Sequence, residues 1–287
     1  MGFSRLHPLI NLIFFVLVLA FSMFVSHPAA LAVSLLFAAA LALRCIGGRR
    51  LLRQLCFLLP LLLFTALLNP LISQQGATVL FSFPWGARCT LEAVLFGLTA
   101  GMRLAAVLLW FAGWNAVLTS DKFVFLFGGV LPSLALTICM GLRLVPHLLR
   151  RYRAVSDAQK CLNPGLRGLR HAGRVVSIVV TWALENALDT ADSMKSRGYG
   201  LPGRSSFSLY RFTLSDALCL TALLLLGAGT AVGAARGAVT WEFYPTLTGA
   251  NGTGAVLTCL IFAALAAFPL LIDAKEALQW RASRLNT

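Results

Sequence analysis

Phe123-Val-Phe-Leu-Phe-Gly-Gly-Val-Leu-Pro-Ser-Leu-Ala-Leu-Thr-Ile-Cys-Met-Gly-Leu-Arg-Leu-Val145 is apolar and long enough to look like a membrane span, and whether it crosses decides the fold. Roughly 17–25 apolar residues are needed to cover about 30 Å of hydrocarbon. Six other runs meet that length, at approximately 8–25, 29–46, 54–73, 91–118, 214–235 and 255–273. Six crossings leave both termini on one side, together with the turn that carries Arg44, Arg49, Arg50 and Arg53. The loops on the other side are poor in cations: 74–90 holds only Arg88, and 236–254 holds only Arg236 beside Glu242. Cytoplasmic loops concentrate Lys and Arg, so the termini and the 44–53 turn are expected in the cytoplasm. A seventh crossing through 123–145 would put the basic region outside the cell. Residues 119–213 hold 13 of the 24 basic residues against five acids, Asp121, Asp157, Glu185, Asp189 and Asp192. Gly128-Gly129 and Pro132 also interrupt the run. The reading is therefore a short interfacial helix at 120–128 and a helix at 131–149 that dips into the membrane or protein interior and returns.

Composition agrees with that frame. Of 287 residues, 59% are hydrophobic and 12% charged, and the mean hydropathy is +0.82. Globular domains run at about 45–50% apolar and about 25% charged, so the chain is expected to be an all-α integral membrane protein. The net charge of +14 follows from cytoplasmic loops and not from nucleic-acid binding. The seven cysteines form no CxxC pair and lie mostly in apolar runs, which argues against a disulfide framework or a zinc site. The first apolar run leads straight into the second, so no cleavable leader is expected. The expected organisation is helices in 1–118, a cytoplasmic region in 119–213, and further helices with a tail in 214–287.

Two long amphipathic helices are expected inside 119–213. The first, at about 131–160, carries Leu144, Leu148, Tyr152 and Val155 at helical spacing and ends at Asn163-Pro164-Gly165. The second, at about 172–198, sets Ala183, Ala187, Ala191 and Met194 on one face and Glu185, Asp189, Asp192 and Ser196 on another. Its end, Asp189-Thr-Ala-Asp-Ser-Met-Lys-Ser-Arg-Gly-Tyr-Gly-Leu-Pro-Gly-Arg204, is polar and basic, and Gly198 can supply a left-handed cap. A plain solvated loop does not need two such helices.

Catalytic signatures are missing. There is no HExxH, no GxSxG and no GxxxxGK[ST], so no catalytic, metal or cofactor residues are assigned and no nucleotide-binding loop is carried. Arg103 lies within the 91–118 span and Arg143 within the dipping helix, neither with an obvious carboxylate partner. An intramembrane cation marks either a substrate pathway or a structural anchor on backbone carbonyls or lipid phosphates. The anchor is the favoured reading, because a pathway needs several converging polar groups.

These residues resemble the transmembrane component of energy-coupling factor transporters, ABC-type importers of vitamins and transition metals. Leu67-Leu68-Asn69-Pro70-Leu71 followed by Gly76 is similar to the family's third-span pattern. Gly141-Leu-Arg-Leu-Val-Pro-His-Leu148 is similar to its approach to the coupling region, and Ala158-Gln159 to the end of its first coupling helix. Ala191-Asp-Ser-Met-Lys-Ser-Arg-Gly-Tyr199 is similar to the end of its second. The resemblance implies two Ala-Arg-Gly-like signatures, each seated in a groove on one of two cytoplasmic ATPases. The second falls on Ser196, Arg197 and Gly198, with serine for alanine. The first falls on Ala158, Gln159 and Lys160, where the family's arginine is missing. The resemblance further implies ATP bound by the partner subunits, a separate substrate-binding S component, and no catalysis in this chain. Membrane lipid is the remaining expected partner.

Two other readings stay open at this stage. A permease carrying its own substrate would need polar groups converging at mid-membrane. A membrane-embedded enzyme would need clustered acids or histidines near one interface.

Overall fold

A computed structural model describes residues 2–73, 76–82, 88–128, 131–162, 168–202, 210, 212–244, 248–249 and 252–285. The described helices are α1 (Pro8–Phe24), α2 (Pro28–Ile46), α3 (Gly48–Ile72), α4 (Leu91–Val117), α5 (Ser120–Gly128), α6 (Pro132–Leu162), α7 (Leu169–Ser196), α8 (Leu214–Ala235) and α9 (Thr253–Leu285). Two short antiparallel ribbons interrupt the helical pattern. They pair β1 (Val79–Ser82) with β2 (Arg88–Thr90), and β3 (Trp241–Glu242) with β4 (Thr248–Gly249). Both ribbons fall in the cation-poor loops. The chain divides into two compact units, residues 1–119 with 210–287, and residues 120–209.

Six helices are long and apolar enough to cross a membrane: α2, α3, α4, α6, α8 and Thr253–Gln279 within α9. The expected set also had six members, and the two sets differ in one, α1 against α6. At 17 residues, α1 is shorter than the six, about 25 Å at 1.5 Å per residue. In its place stands α6, the least apolar of the six and almost wholly exposed. A second correction concerns α3. Its start was expected near residue 54, whereas a single glycine separates α2 from α3. Gly47 adopts φ +87°, a left-handed conformation that L side chains rarely take. The arginines at 49, 50 and 53 therefore ride the first turns of a helix and do not sit in a loop.

The core of the first unit is aromatic. Phe14 and Phe15 of α1 pack edge-on to Trp110 of α4 at 5.8 and 6.5 Å between ring centres, and all three are fully buried. The Trp110 indole donates to Ser34 Oγ at 3.0 Å, and Ser34 Oγ also lies 2.9 Å from Ser22 Oγ. The one polar edge of the cluster is thereby satisfied, as burial demands. The tightest helix pair is α3 with α4. A Cβ on Gly97 would lie 2.8 Å from the Thr65 carbonyl oxygen and 2.9 Å from Ala66 Cα, and one on Gly101 would lie 3.2 Å from Leu62 Cα. Gly97 and Gly101 form the small-xxx-small spacing that lets membrane helices meet backbone to backbone.

Contacts at the helix ends fix the crossing pattern. At one end the Phe3 backbone N–H donates to Asp273 Oδ1 (3.0 Å), Arg5 pairs with Glu276 (3.2 Å), and His7 meets Phe212 just ahead of α8. At the opposite end the Asn69 amide donates to the Ala93 carbonyl (2.8 Å) and to Tyr244 Oη (3.3 Å). The Thr78 hydroxyl there donates to Glu92 (2.7 Å). Helix α4 starts beside Tyr244 and runs to the first end, and α8 starts there at a Thr213–Asp216 capping box. The end of α4 and the start of α8 thus lie at the same end of the first unit, the end that also carries Phe3 and Glu276.

His27, at the N-cap of α2, stands edge-on to Trp241 at 5.0 Å, and its Nδ1 is buried with no hydrogen-bond partner among the described residues. Desolvation holds its pKa below the ordinary histidine value. The folded chain therefore takes up this proton at lower pH than the unfolded chain. The contribution is complete above about pH 6.5 and is lost as pH falls through the lowered folded value. Thermal melts between pH 7.5 and 5 should show falling stability, and His27→Gln should flatten part of that slope. An equal slope in the variant would remove His27 from the explanation.

Candidate functional site

The second unit is built around α6 and α7. His147 stacks on Trp182 with ring centres 5.0 Å apart and planes 3° from parallel. The Arg151 guanidinium carbon lies 5.1 Å from the centre of the same ring, one helical turn further along α6. Ser156 Oγ and His171 Nε2 are 3.2 Å apart. As α6 numbers rise from 147 to 156 their partners fall from 182 to 171, so the helices run antiparallel. Val175 and Val179 are the buried positions of α7, with Ala172, Trp182, Ala183 and Asn186 half-buried, an i, i+3/i+4 pattern. The expected stripe is thus shifted toward the N-terminus. Ala183 and Met194 are half-buried, but Ala187 and Ala191 are exposed, as are Glu185, Asp189, Asp192 and Ser196. On α6, Leu148 and Val155 face inward as expected, whereas Leu144 and Tyr152 stay exposed and Ser156 is buried instead.

The end of α7 is a well-defined cap. Gly198 adopts φ +79°. Its N–H donates to the Lys195 carbonyl at 3.0 Å, and the Tyr199 N–H reaches back to the Met194 carbonyl at 3.0 Å. This pair of bonds is the Schellman arrangement. A side chain at 198 would incur the left-handed penalty and would meet Leu201 at 3.1 Å. Ser196 Oγ donates to the Ser193 carbonyl at 2.9 Å. Arg197 is the C-cap residue, exposed, and makes no ion pair among the described residues. The helix dipole favours a cation here, so the guanidinium is held at the helix tip with its five donors free for another molecule.

The end of α6 is different. Lys160 Nζ pairs with Asp157 Oδ1 at 3.1 Å, both side chains well exposed. Ala158 is exposed and Gln159 is half-buried. The Asn163-Pro164-Gly165 stop lies outside the described residues. Because the helices are antiparallel, the two ends point to opposite ends of the hairpin. From Gly168 to Arg197, a rise of 1.5 Å per residue gives about 40 Å.

The two cations belong to different units. In the first unit, Arg103 donates through Nη2 to the Val25 carbonyl at 3.1 Å and to Ser26 Oγ at 3.4 Å. Val25 caps the C-terminus of α1, where carbonyls lack helical partners. In the second unit, Arg143 is exposed on α6 without an ion pair among the described residues. Among the described residues, no three His, Cys, Asp or Glu side chains converge in a metal-binding arrangement.

Three features escaped the sequence reading. The Gly97–Gly101 spacing was visible in principle as GxxxG. Lys122 is buried in α5, and that burial pulls its pKa down. The Trp182 stack had only a faint signal, His147 and Arg151 one turn apart.

Apolar helices of spanning length joined to a paired amphipathic hairpin define a multi-pass helical membrane protein. Residues 3–209 match the family model CbiQ, described as cobalt transport protein. The match covers well over half of the chain, which belongs to this family, the transmembrane components of energy-coupling factor transporters. It is accordingly a membrane component of a multi-component transport system. No curated protein matches the chain.

Proposed function

We propose that this chain is the coupling subunit of an energy-coupling factor importer for a vitamin or a transition-metal ion. Two ABC-type ATPases bind ATP in the cytoplasm, and a separate S component holds the substrate. The end of the first unit that carries both termini faces the cytoplasm of a bacterial or archaeal cell. The observation that supports this most directly is the glycine-capped tip of α7, which holds Arg197 unpaired at one end of the hairpin, about 40 Å from Ala158–Lys160. Two docking ends that far apart suit two ATPases better than one. A helix tip can enter a groove and donate paired hydrogen bonds to carboxylates or carbonyls there, and the left-handed glycine turns the chain away just behind it. ATP-driven approach of the two ATPases then moves the hairpin as a rigid element. Arg103 anchors the α1–α2 turn. Arg197 carries more of the docking than the α6 end does, since Lys160 is already shared with Asp157.

The deciding experiment is co-purification of the tagged full-length chain from its native membranes, with partners identified by mass spectrometry. Two ATPase subunits carrying nucleotide-binding loops are expected in stoichiometric amount. Recovery of the chain without any ATPase would overturn the reading.

A further inference from the structure

Between α3 and α4 lies a cavity of about 340 Å³, lined by Arg53, Gln54, Phe57, Leu58, Leu108 and Leu109. Its polar and apolar walls are segregated. Helix α3 begins at the end of the unit that carries the termini, so Arg53 and Gln54 stand one turn nearer that end than Phe57 and Leu58. Arg49 lies one turn above Arg53, and Arg50 one turn above Gln54, extending the polar stripe outward. The helices that line the cavity bring no acid to this rim. No Asp or Glu precedes Glu92, and none occurs from there to Asp121. Arg49, Arg50 and Arg53 make no ion pair among the described residues. Gln54 Oε1 is buried with no hydrogen-bond partner among the described residues, so the amide gains a donor only by turning toward the cavity that its side chain lines.

A cationic rim, one orphan acceptor and an apolar wall, in that order, match the phosphate, headgroup hydroxyl and acyl chain of one lipid class. We propose that this cavity seats an anionic phospholipid with a hydroxylated headgroup, of the phosphatidylglycerol kind. The phosphate sits on Arg53, within the field of Arg49 and Arg50. The Gln54 amide turns toward the cavity and its Oε1 accepts from a headgroup hydroxyl, and part of one acyl chain lies along Phe57, Leu58, Leu108 and Leu109. Basic pockets between helices at the cytoplasmic side are suited to such headgroups. A volume of 340 Å³ is at the small end for ligand cavities, enough for part of a chain and not for a whole lipid. A soluble anion would leave the apolar wall uncovered, and a zwitterionic lipid would leave the arginines unbalanced. The inference rests on the cytoplasmic orientation proposed above and not on the ATPase docking, which the lipid titration does not involve.

Native mass spectrometry of the delipidated full-length protein tests it, titrating phosphatidylglycerol and phosphatidylcholine with identical chains. One phosphatidylglycerol is expected to be retained with about tenfold preference. Arg53→Ala and Gln54→Leu should each weaken that binding several-fold. Leu108→Trp fills the cavity from a position that is 39% exposed and so tolerates the larger ring. It should abolish the tight adduct, while Arg153→Ala in the second unit leaves it intact. Equal retention of the two lipids, an unchanged adduct in Leu108→Trp, or displacement by millimolar glycerol 3-phosphate would each overturn the assignment.

Discussion

Arg197→Glu is expected to cut retention of the ATPases at least ~30-fold and to abolish coupled uptake, with the membrane fold intact. Removing one partner of a desolvated charged hydrogen bond costs about 2–5 kcal/mol, and each 1.4 kcal/mol is a factor of ten. Charge reversal adds repulsion to that loss. The fold is insulated, because the α7 cap is made by backbone groups of Met194, Lys195, Gly198 and Tyr199 and not by the guanidinium. Arg197→Lys should fall between the two, keeping the charge and losing the fork. Lys160→Glu should do less, since its ammonium is already turned to Asp157 in an exposed pair of little energetic weight. Pull-down yield and substrate uptake, measured side by side, check all three variants. Full retention by Arg197→Glu would end the docking role. A larger loss from Lys160→Glu would reverse the proposed asymmetry.

Gly97→Leu should be the most damaging substitution in the first unit. Its Cβ alone would lie 2.8 Å from a backbone oxygen and 2.9 Å from a backbone Cα of α3, so no side chain can rotate away to make room. Forcing extra atoms into a packed interface costs typically 1–3 kcal/mol and occasionally more, and a backbone clash belongs at the upper end. A cost of about 3 kcal/mol corresponds to a melting-temperature drop of about 6–12 °C. Gly141→Leu is the internal comparison, because nothing lies within 4 Å of the added Cβ there. It should leave the melting temperature within a degree or two, helped by the better helix propensity of leucine. Equal melting of the two variants would show that α3 and α4 do not meet this closely.

Much of the architecture was legible because hydropathy and charge act over whole segments. Helix α5 has the expected bounds, 120–128, and its end falls at the Gly128-Gly129 break. The Gly198 cap followed from one residue's freedom at positive φ. The shift of the α7 stripe was not legible, because alanine sits comfortably on either face of a helix. Which apolar residues become buried is settled by the partner, and Val175 and Val179 are chosen by where α6 lies. The start of α3 was missed for a related reason. Arginines at 49, 50 and 53 argue for a loop by charge, yet their long side chains leave a helix easily and reach water from it. Whether α6 crosses is not legible from its own composition. The end of α4 and the start of α8 lie on the same side of the first unit, which requires an even number of crossings between them.

That shared side has a mechanical consequence. Residues 120–209 are tethered at two points, the end of α4 and the start of α8, so any displacement of this insert loads both helices together. Helix α1 packs against α4 and also against α8. The two loads therefore meet in α1, which packs on α4 through the rings of Phe14 and Phe15 and on α8 through Leu17 beside Gly227. A pull delivered to the ends of α4 and α8 can tilt α4, α1 and α8 in concert, but it cannot part α4 from α1 without opening the ring cluster, nor α8 from α1 without opening the Leu17–Gly227 contact.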